Sequence, residues 1–430
     1  MMGVLRVVVL LTMGVVALEQ LLFAQEGDGG IRAWTLLREQ GLTGSLRVDY
    51  FRSSKLLDDE TDFTGGTAQF KLLPVFNEML TGKVEARLTD PAIGKGAETS
   101  GSLLEGFVSL HFDKGDLRIG KQIVAWGRAD GINPTDNLTP HDYVVLLPFE
   151  EDQRFGTMAL KGDGYLSNDY TLTLFISPFF EPSKIPLIAP AGTILIENKP
   201  TSNFSDTEVA VKLNKSGGAF DGSISFFHGF DLLPDARASL TPMGPVIELR
   251  HTIIDVIGID MARNFGKFGF RAEGAYFITE DHNGLDPTIK NPFLFYVLGV
   301  DRTFLENLNI NIQFVGRYIR YYQDPEAIND PFLRSLAVQN AIVNGQQDQT
   351  SYGLTSRIGD KWFNDTLEAE LLMFINFNRT NSYFRPLVTY AFTDHVKGTV
   401  GGEVYQGPDD SFFGRLKKNE SVFTEIRYSF

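Results

Sequence analysis

From Gly44 to Phe430 the chain alternates apolar and polar residues with a period of two. The alternation runs over segments close to the roughly 9 to 11 residues that a tilted strand needs to cross a bilayer. In "SLRVDY", Leu46, Val48 and Tyr50 share one face, and Arg47 and Asp49 the other. "KVEARL" sets Val84, Ala86 and Leu88 against Lys83, Glu85 and Arg87, and "NLNINIQF" sets Leu308, Ile310, Ile312 and Phe314 against Asn307, Asn309, Asn311 and Gln313. The pattern predicts strands at 44–53, 66–77, 82–89, 102–112, 116–126, 154–162, 169–177, 206–214 and 222–230. It continues at 254–264, 267–280, 293–303, 307–322, 350–359, 365–377, 382–393, 396–405 and 420–430. That is an even count of 18, with 16 as the alternative.

A soluble sandwich alternates too, because one face of each sheet meets water. The connections separate the two architectures. Short ones, such as "DKGD" at 113–116, "NFGK" at 264–267 and "TDH" at 393–395, take turns with long ones at 54–65, 90–101, 127–153, 178–205, 231–253, 281–292, 323–348 and 406–419. The exception is "NRTN" at 378–381, a tight turn where a long loop is due. Short turns at one end and long loops at the other are the organisation of a transmembrane antiparallel β-barrel of the bacterial outer membrane. The fold class expected is therefore all-β, a barrel of about 18 strands. Its 35 Phe, 14 Tyr and 3 Trp, many near strand ends, suit the two membrane interfaces.

The N-terminus sets the compartment. Arg6 is followed by an apolar run from Val7 to Leu18, too short to span a bilayer as a helix, and Ala24 precedes Gln25 as a cleavage point. The expected division is a signal peptide at 1–24, a short periplasmic segment at 25–43 and the barrel at 44–430, in the outer membrane of a Gram-negative bacterium. At the other end, "SVFTEIRYSF" places Val422, Ile426, Tyr428 and Phe430 on one face. A terminal Phe430 behind Tyr428 resembles the assembly signal of bacterial outer-membrane barrels, which implies the barrel-assembly machinery as a partner.

Composition removes several function classes. The formal net charge is −15, which disfavours nucleic acid as a partner. There is no cysteine, hence no disulfide or thiolate metal site. The six histidines are scattered, and no nucleophile elbow, zinc helix or phosphate-cradling loop is present. No catalytic, cofactor or metal residues are assigned, and the chain reads as a non-enzyme.

The stretch with the densest functional-looking chemistry is "LRIGKQIVAWGRADGINPTDNLTPHDY", Leu117 to Tyr143. Read as the fifth strand and the third long loop, it puts Leu117, Ile119, Ile123 and Ala125 on the lipid face and Arg118, Gly120, Gln122, Val124 and Trp126 on the lumen face. Lys121 falls on the lipid face, where it must snorkel. Gly127, Gly131 and Pro134 allow the loop 127–153 to turn sharply inward. Arg128, Asp130, Asp136, His141 and Asp142 then become candidates for a channel constriction, and Arg118, Gln122, Trp126, Arg271 and Glu273 for the lumen wall. Ordinary surface-loop chemistry is the competing reading. Acidic runs at 58–62, 149–152 and 409–410 predict a mouth that concentrates cations and adheres to lipopolysaccharide through divalent cations. The loop 178–205, with five prolines and exposed Ile194 and Leu195, reads as a lid, a hydrophobic-solute site or a contact with neighbouring barrels.

"RIGKQIVAWG" (118–127) with "INP" (132–134), and "YFRPLVTYAFTDH" (383–395), resemble patches of a family of Gram-negative outer-membrane barrels of unknown function. The strand motif is also loosely similar to that of alginate-export porins. The resemblance implies fold and compartment, with most of the mature chain covered, and an association with exporters or degraders of hydrophobic compounds. The expected function is a porin-like channel for passive diffusion of small solutes, constricted by the loop 127–153. The alternatives are a barrel accessory to an export or uptake system for hydrophobic compounds, bound to a partner of that system, and a barrel enzyme.

Overall fold

A computed structural model describes residues 41–53, 61–93, 99–144, 150–185, 193–201, 206–241 and 244–430. The expected signal peptide, and the periplasmic segment up to residue 40, lie outside the described residues. The wall strands are β1 (Thr43–Ser53), β2 (Asp62–Leu72), β3 (Leu80–Asp90), β4 (Ser100–Phe112), β5 (Gly115–Gln122) and β6 (Thr157–Tyr165). They continue as β7 (Tyr170–Ser177), β8 (Glu208–Lys215), β9 (Asp221–Phe230), β10 (Ile253–Phe265), β11 (Phe268–Thr279) and β12 (Phe293–Phe304). The last six are β13 (Leu308–Ile319), β14 (Thr350–Trp362), β15 (Leu367–Asn376), β16 (Asn381–Ala391), β17 (Val396–Gln406) and β18 (Ser421–Ser429).

Each strand pairs antiparallel with its neighbour in sequence, and β1 pairs with β18 from Ser45↔Ser429 to Ser53↔Ser421, so the 18-stranded sheet closes on itself. Closure leaves no terminal sheet edge in the hydrocarbon, where unpaired backbone groups have no water to bond. The alternation has the expected sense. In β1, Arg47 and Asp49 are buried inside, while on the neighbouring outer faces Val84, Leu88, Ile257, Ile259 and Val400 are exposed as an apolar belt. "NRTN" is indeed a tight turn at the long-loop end, between β15 and β16, and the count of 18 holds through it.

Three departures from the expected elements have local causes. The second strand begins earlier, at Asp62, and stops at Leu72 before Pro74, which lacks an amide to continue the ladder; Val75–Asn77 then forms a short separate strand. The fifth strand ends at Gln122 rather than at 126. The long loops also carry structure of their own. Ile194–Asn198 pairs parallel with Gly244–Arg250, itself hairpinned to Asp235–Thr241. A helix, α1 (Pro331–Val343), follows Asp330, whose side chain accepts the Leu333 amide at its N-terminus. Asn340 of α1 bonds both backbone groups of Ala236, and buried Lys290 reaches Asp231 at 3.0 Å and Asp235 at 3.4 Å, tying the loops into one rim.

Closure is tightest at the seam. Gly44 exchanges two 3.0 Å backbone hydrogen bonds with Phe430, and a Cβ at Gly44 would lie 2.6 Å from both the Phe430 ring and the Gln69 carbonyl. Gly44→Val is therefore expected to lower the yield of closed barrel, read as loss of the compact band on unheated gels, whereas Gly359→Ala, whose added Cβ would have the Ala369 carbonyl at 3.8 Å, keeps it.

Candidate functional site: the loop inside the barrel

After Gln122 the chain leaves the wall, which Thr157 restarts; of the residues between, 123–144 and 150–156 are described. Two interactions turn it inward: the Glu105 carboxylate accepts the Ile123 amide at 2.9 Å, and the Gly156 amide takes the Leu104 carbonyl at 2.9 Å. Ile123 and Ala125, expected to face lipid, thus line lumen cavities, and Trp126 belongs to the inward loop rather than to the wall. The apolar residues of this segment are used inside. Val124, Trp126 and Leu138 pack on inward-facing Phe175, Ala210, Phe227, Val256 and Ala275. Burying each large side chain contributes about 1.5–3 kcal/mol, enough to hold the loop against the β6–β11 side.

One carboxylate fixes its path. Glu273 on β11, 3 % exposed, accepts the amides of Arg128 (2.9 Å), Ala129 (3.0 Å) and Thr135 (2.8 Å), the Thr135 hydroxyl (2.8 Å) and the Asn133 amide group (3.4 Å). Gly127 has φ +99°, and a Cβ there would be 2.6 Å from both Glu273 oxygens, so the turn over the carboxylate requires glycine. Arg128 adds hydrogen bonds to Asp260 and to Asn214, each at 2.6 Å, and the Asp130 amide donates to Gln313 at 2.9 Å. On the far side of the lumen, Asp152 of the same loop ion-pairs with Arg47 on β1 and lies 3.8 Å from Arg87 on β3. The loop is a crossbar bonded to opposite walls.

Of the five expected constriction residues, Arg128 and Asp130 bond to the wall as described, Asp136 lies beside Arg154, and His141 and Asp142 lie farther along the loop, with Asp142 buried. The Asp142 carboxylate holds Lys184 at 2.7 Å, and His141 stacks on Tyr143. Arg154 connects the two groups, 3.6 Å from Asp136 and donating to His141 Nε2 at 3.3 Å. Burial pushes the Asp136 carboxyl up to about 7, against the opposing pull of Arg154. Burial, reinforced by the Arg154 charge, pushes His141 down to about 4, so at neutral pH it accepts that hydrogen bond as a neutral ring. Among the wall residues, Arg118 lies over the Phe107 ring, Gln122 donates to the Ala159 carbonyl at 2.9 Å, and Arg271 pairs with Asp301 at 3.1 Å. Glu273, expected as one wall charge among many, is the anchor of the loop.

Three cavities meet around the crossbar. An outer one of about 590 Å³ is lined by Phe293, Phe295, Tyr352, Phe374 and Arg317 as well as by the loop. It shares Gly131, Asn133 and Arg154 with a passage of about 550 Å³ between the loop and strands β14 to β18. A third, of about 440 Å³, shares Ala125 and Trp126 with that passage and is lined by Arg118, Lys161, Asp163 and Lys212. The passage lining carries five cations (Arg154, Arg357, Arg385, Lys397, Arg427) and four carboxylates (Asp130, Glu368, Glu370, Glu425). Asp130 lies 3.7 Å from Arg357 across it. The outer acids expected to make a cation-rich mouth are partly neutralised: Asp410 pairs with Arg379 at 2.9 Å, Asp409 with Lys417, and Asp152 points inward.

Removing the anchor has a local signature. Glu273→Ala is expected to speed amide hydrogen exchange at Arg128, Ala129 and Thr135 by about tenfold or more, since one hydrogen bond to a charged group contributes about 1.5–3 kcal/mol. Exchange in β16 and β17 is expected to stay at its wild-type rate.

No protein-family model and no curated protein matches the sequence. Solved structures do resemble the fold. OpdK of Pseudomonas aeruginosa, solved with vanillate, matches with a TM-score of 0.53 and 9% identity, covering 90% of this chain and 98% of that one. OccK11 (OpdR) of the same organism matches with a TM-score of 0.51 and 9% identity, over 90% of this chain and 94% of that one. At these identities the likeness establishes architecture: the chain has the closed antiparallel barrel of outer-membrane porins.

Proposed function

We propose that this protein is an outer-membrane channel of a Gram-negative bacterium for passive passage of small solutes, with the inward loop as its constriction. The observation that carries the reading is the crossbar, held by Glu273 on one wall and by Arg47 and Arg87 on the other, with a charged passage beside it. A structural plug needs no such passage. A channel needs a narrowing whose charges face the solute, and Asp130 opposite Arg357, with Arg385 and Arg427 beyond, supplies them. The barrel resemblance supports the compartment and the transport role.

The balance of five cations and four carboxylates argues for weak ion selectivity, despite the strongly acidic chain. Local lining charge acts on a permeating ion far more than distant surface charge, which is screened within about 8 Å at physiological salt. In planar bilayers under a salt gradient, the refolded protein is expected to give stable conductance steps with a reversal potential near zero. Arg385→Glu should move that potential toward cation preference, and Asp152→Ala, which releases one end of the loop, should raise the conductance. A correctly folded barrel that never conducts overturns the reading.

A further inference from the structure

Strand β4 is paired unequally on its two edges. Toward β3 the ladder runs from Leu80↔Leu110 to Thr89↔Ser100, with a register shift that skips Leu104. Toward β5 it runs only from Phe112↔Gly115 to Gly106↔Lys121. Among the described residues, Ser100 to Glu105 have no strand beside them on that edge, where the Gly156 amide donates to the Leu104 carbonyl. The cause is the departure of β5 into the lumen. Six residues of strand correspond to an opening roughly 20 Å long. Its height in the membrane follows from the outward-facing Leu88 and Leu103 beside it, 49 % and 46 % exposed, which belong to the apolar belt.

A cavity of about 600 Å³ occupies this opening. Asp49, Thr67 and Arg87 line it from the lumen side, and Gly101, Leu103 and Lys121 from the outward-facing register, so it crosses the wall. Lys121 does not reach out to lipid: its side chain is 17 % exposed, with the ammonium 3.6 Å from Glu181 and 5.7 Å from the Phe155 ring centre, inside the opening. The cavity shares Gln153 and Arg154 with the outer cavity. In hydrocarbon an unpaired strand edge persists only where protein or water meets it, and a wetted side passage satisfies that condition.

We propose that this notch is a lateral portal through which small, uncharged hydrophobic solutes dissolved in the outer leaflet enter the lumen. The proposal rests on the outer-membrane reading above but not on axial conduction. Solute class follows from the lining. Its four basic and four acidic side chains leave no net charge to select an ion, while Phe63, Leu104 and Phe155 give apolar contact. A solute already in the lipid meets this opening without crossing the charged outer rim.

The test uses the neutral membrane-fluorescent probe 1-N-phenylnaphthylamine in Gram-negative cells that carry or lack the full-length protein. Cells with the protein are expected to take up the probe faster. Ser102→Trp fills the notch at a side chain that is exposed in the cavity, and should return uptake to the level of cells without the protein while the purified variant keeps wild-type conductance. Should Ser102→Trp fail to give a closed barrel, Leu103→Trp blocks from the lipid side and carries the same expectation. Wild-type uptake in a folded, blocked variant overturns the portal, as does uptake by wild-type cells no faster than in cells lacking the protein. Conductance separates the two readings: a silent barrel with portal-dependent uptake removes the axial channel and keeps the portal.

Discussion

A chain that crosses hydrocarbon as strands has no solvent to satisfy its backbone, and every other feature of this molecule follows from that condition. The sheet must close, so β1 meets β18 and the seam demands a glycine at position 44. Once closed, the wall has one face in lipid and one around water, and the period-two pattern is the imprint of those two solvents on each strand. Polar and charged residues are then concentrated inside. Arg47, Arg87, Glu105, Asp260, Glu273 and Glu425 are all less than a tenth exposed. Such charges persist when paired and hydrogen-bonded, and much of the loop's polar backbone serves as their partner.

Seen this way, the inward loop and the wall complete one another. Glu273 would be a costly buried carboxylate without the amides of Arg128, Ala129 and Thr135, and those amides would be orphaned in the lumen without Glu273. Trp126 and Leu138 cover an inward apolar patch, including Phe175 and Phe227, that would otherwise line an aqueous cavity. The path of the loop across the lumen is thus a consequence of satisfying the wall.

The wall was legible in the sequence because lipid imposes its rule residue by residue: all 18 wall strands fall on segments predicted from alternation, and the polar faces are the inner faces. Exits from the wall were less legible. Ile123 to Trp126 continue the alternation of β5, yet they lie in the lumen, because the departure is decided by Glu105 and Gly156, partners distant in sequence or beyond the pattern. Glu273 looked like any wall carboxylate, since its five donors come from a loop 138 to 145 positions earlier. The helix α1 carries a readable signal, Asp330 followed by Pro331, within the segment 323–348 whose length marks it as a long loop. The parallel pairing of Ile194–Asn198 with Gly244–Arg250 had none, because parallel partners share no turn.

The bonds that Glu273 makes also impose an order on the birth of the molecule. They join segments well over a hundred residues apart, and contacts of that separation form late because so much chain must first be organised. The loop can dock only when β11 already stands in the wall, and its far end only when β1 presents Arg47. Docking of the loop is therefore a long-range step, one that waits for the wall strands it bonds to.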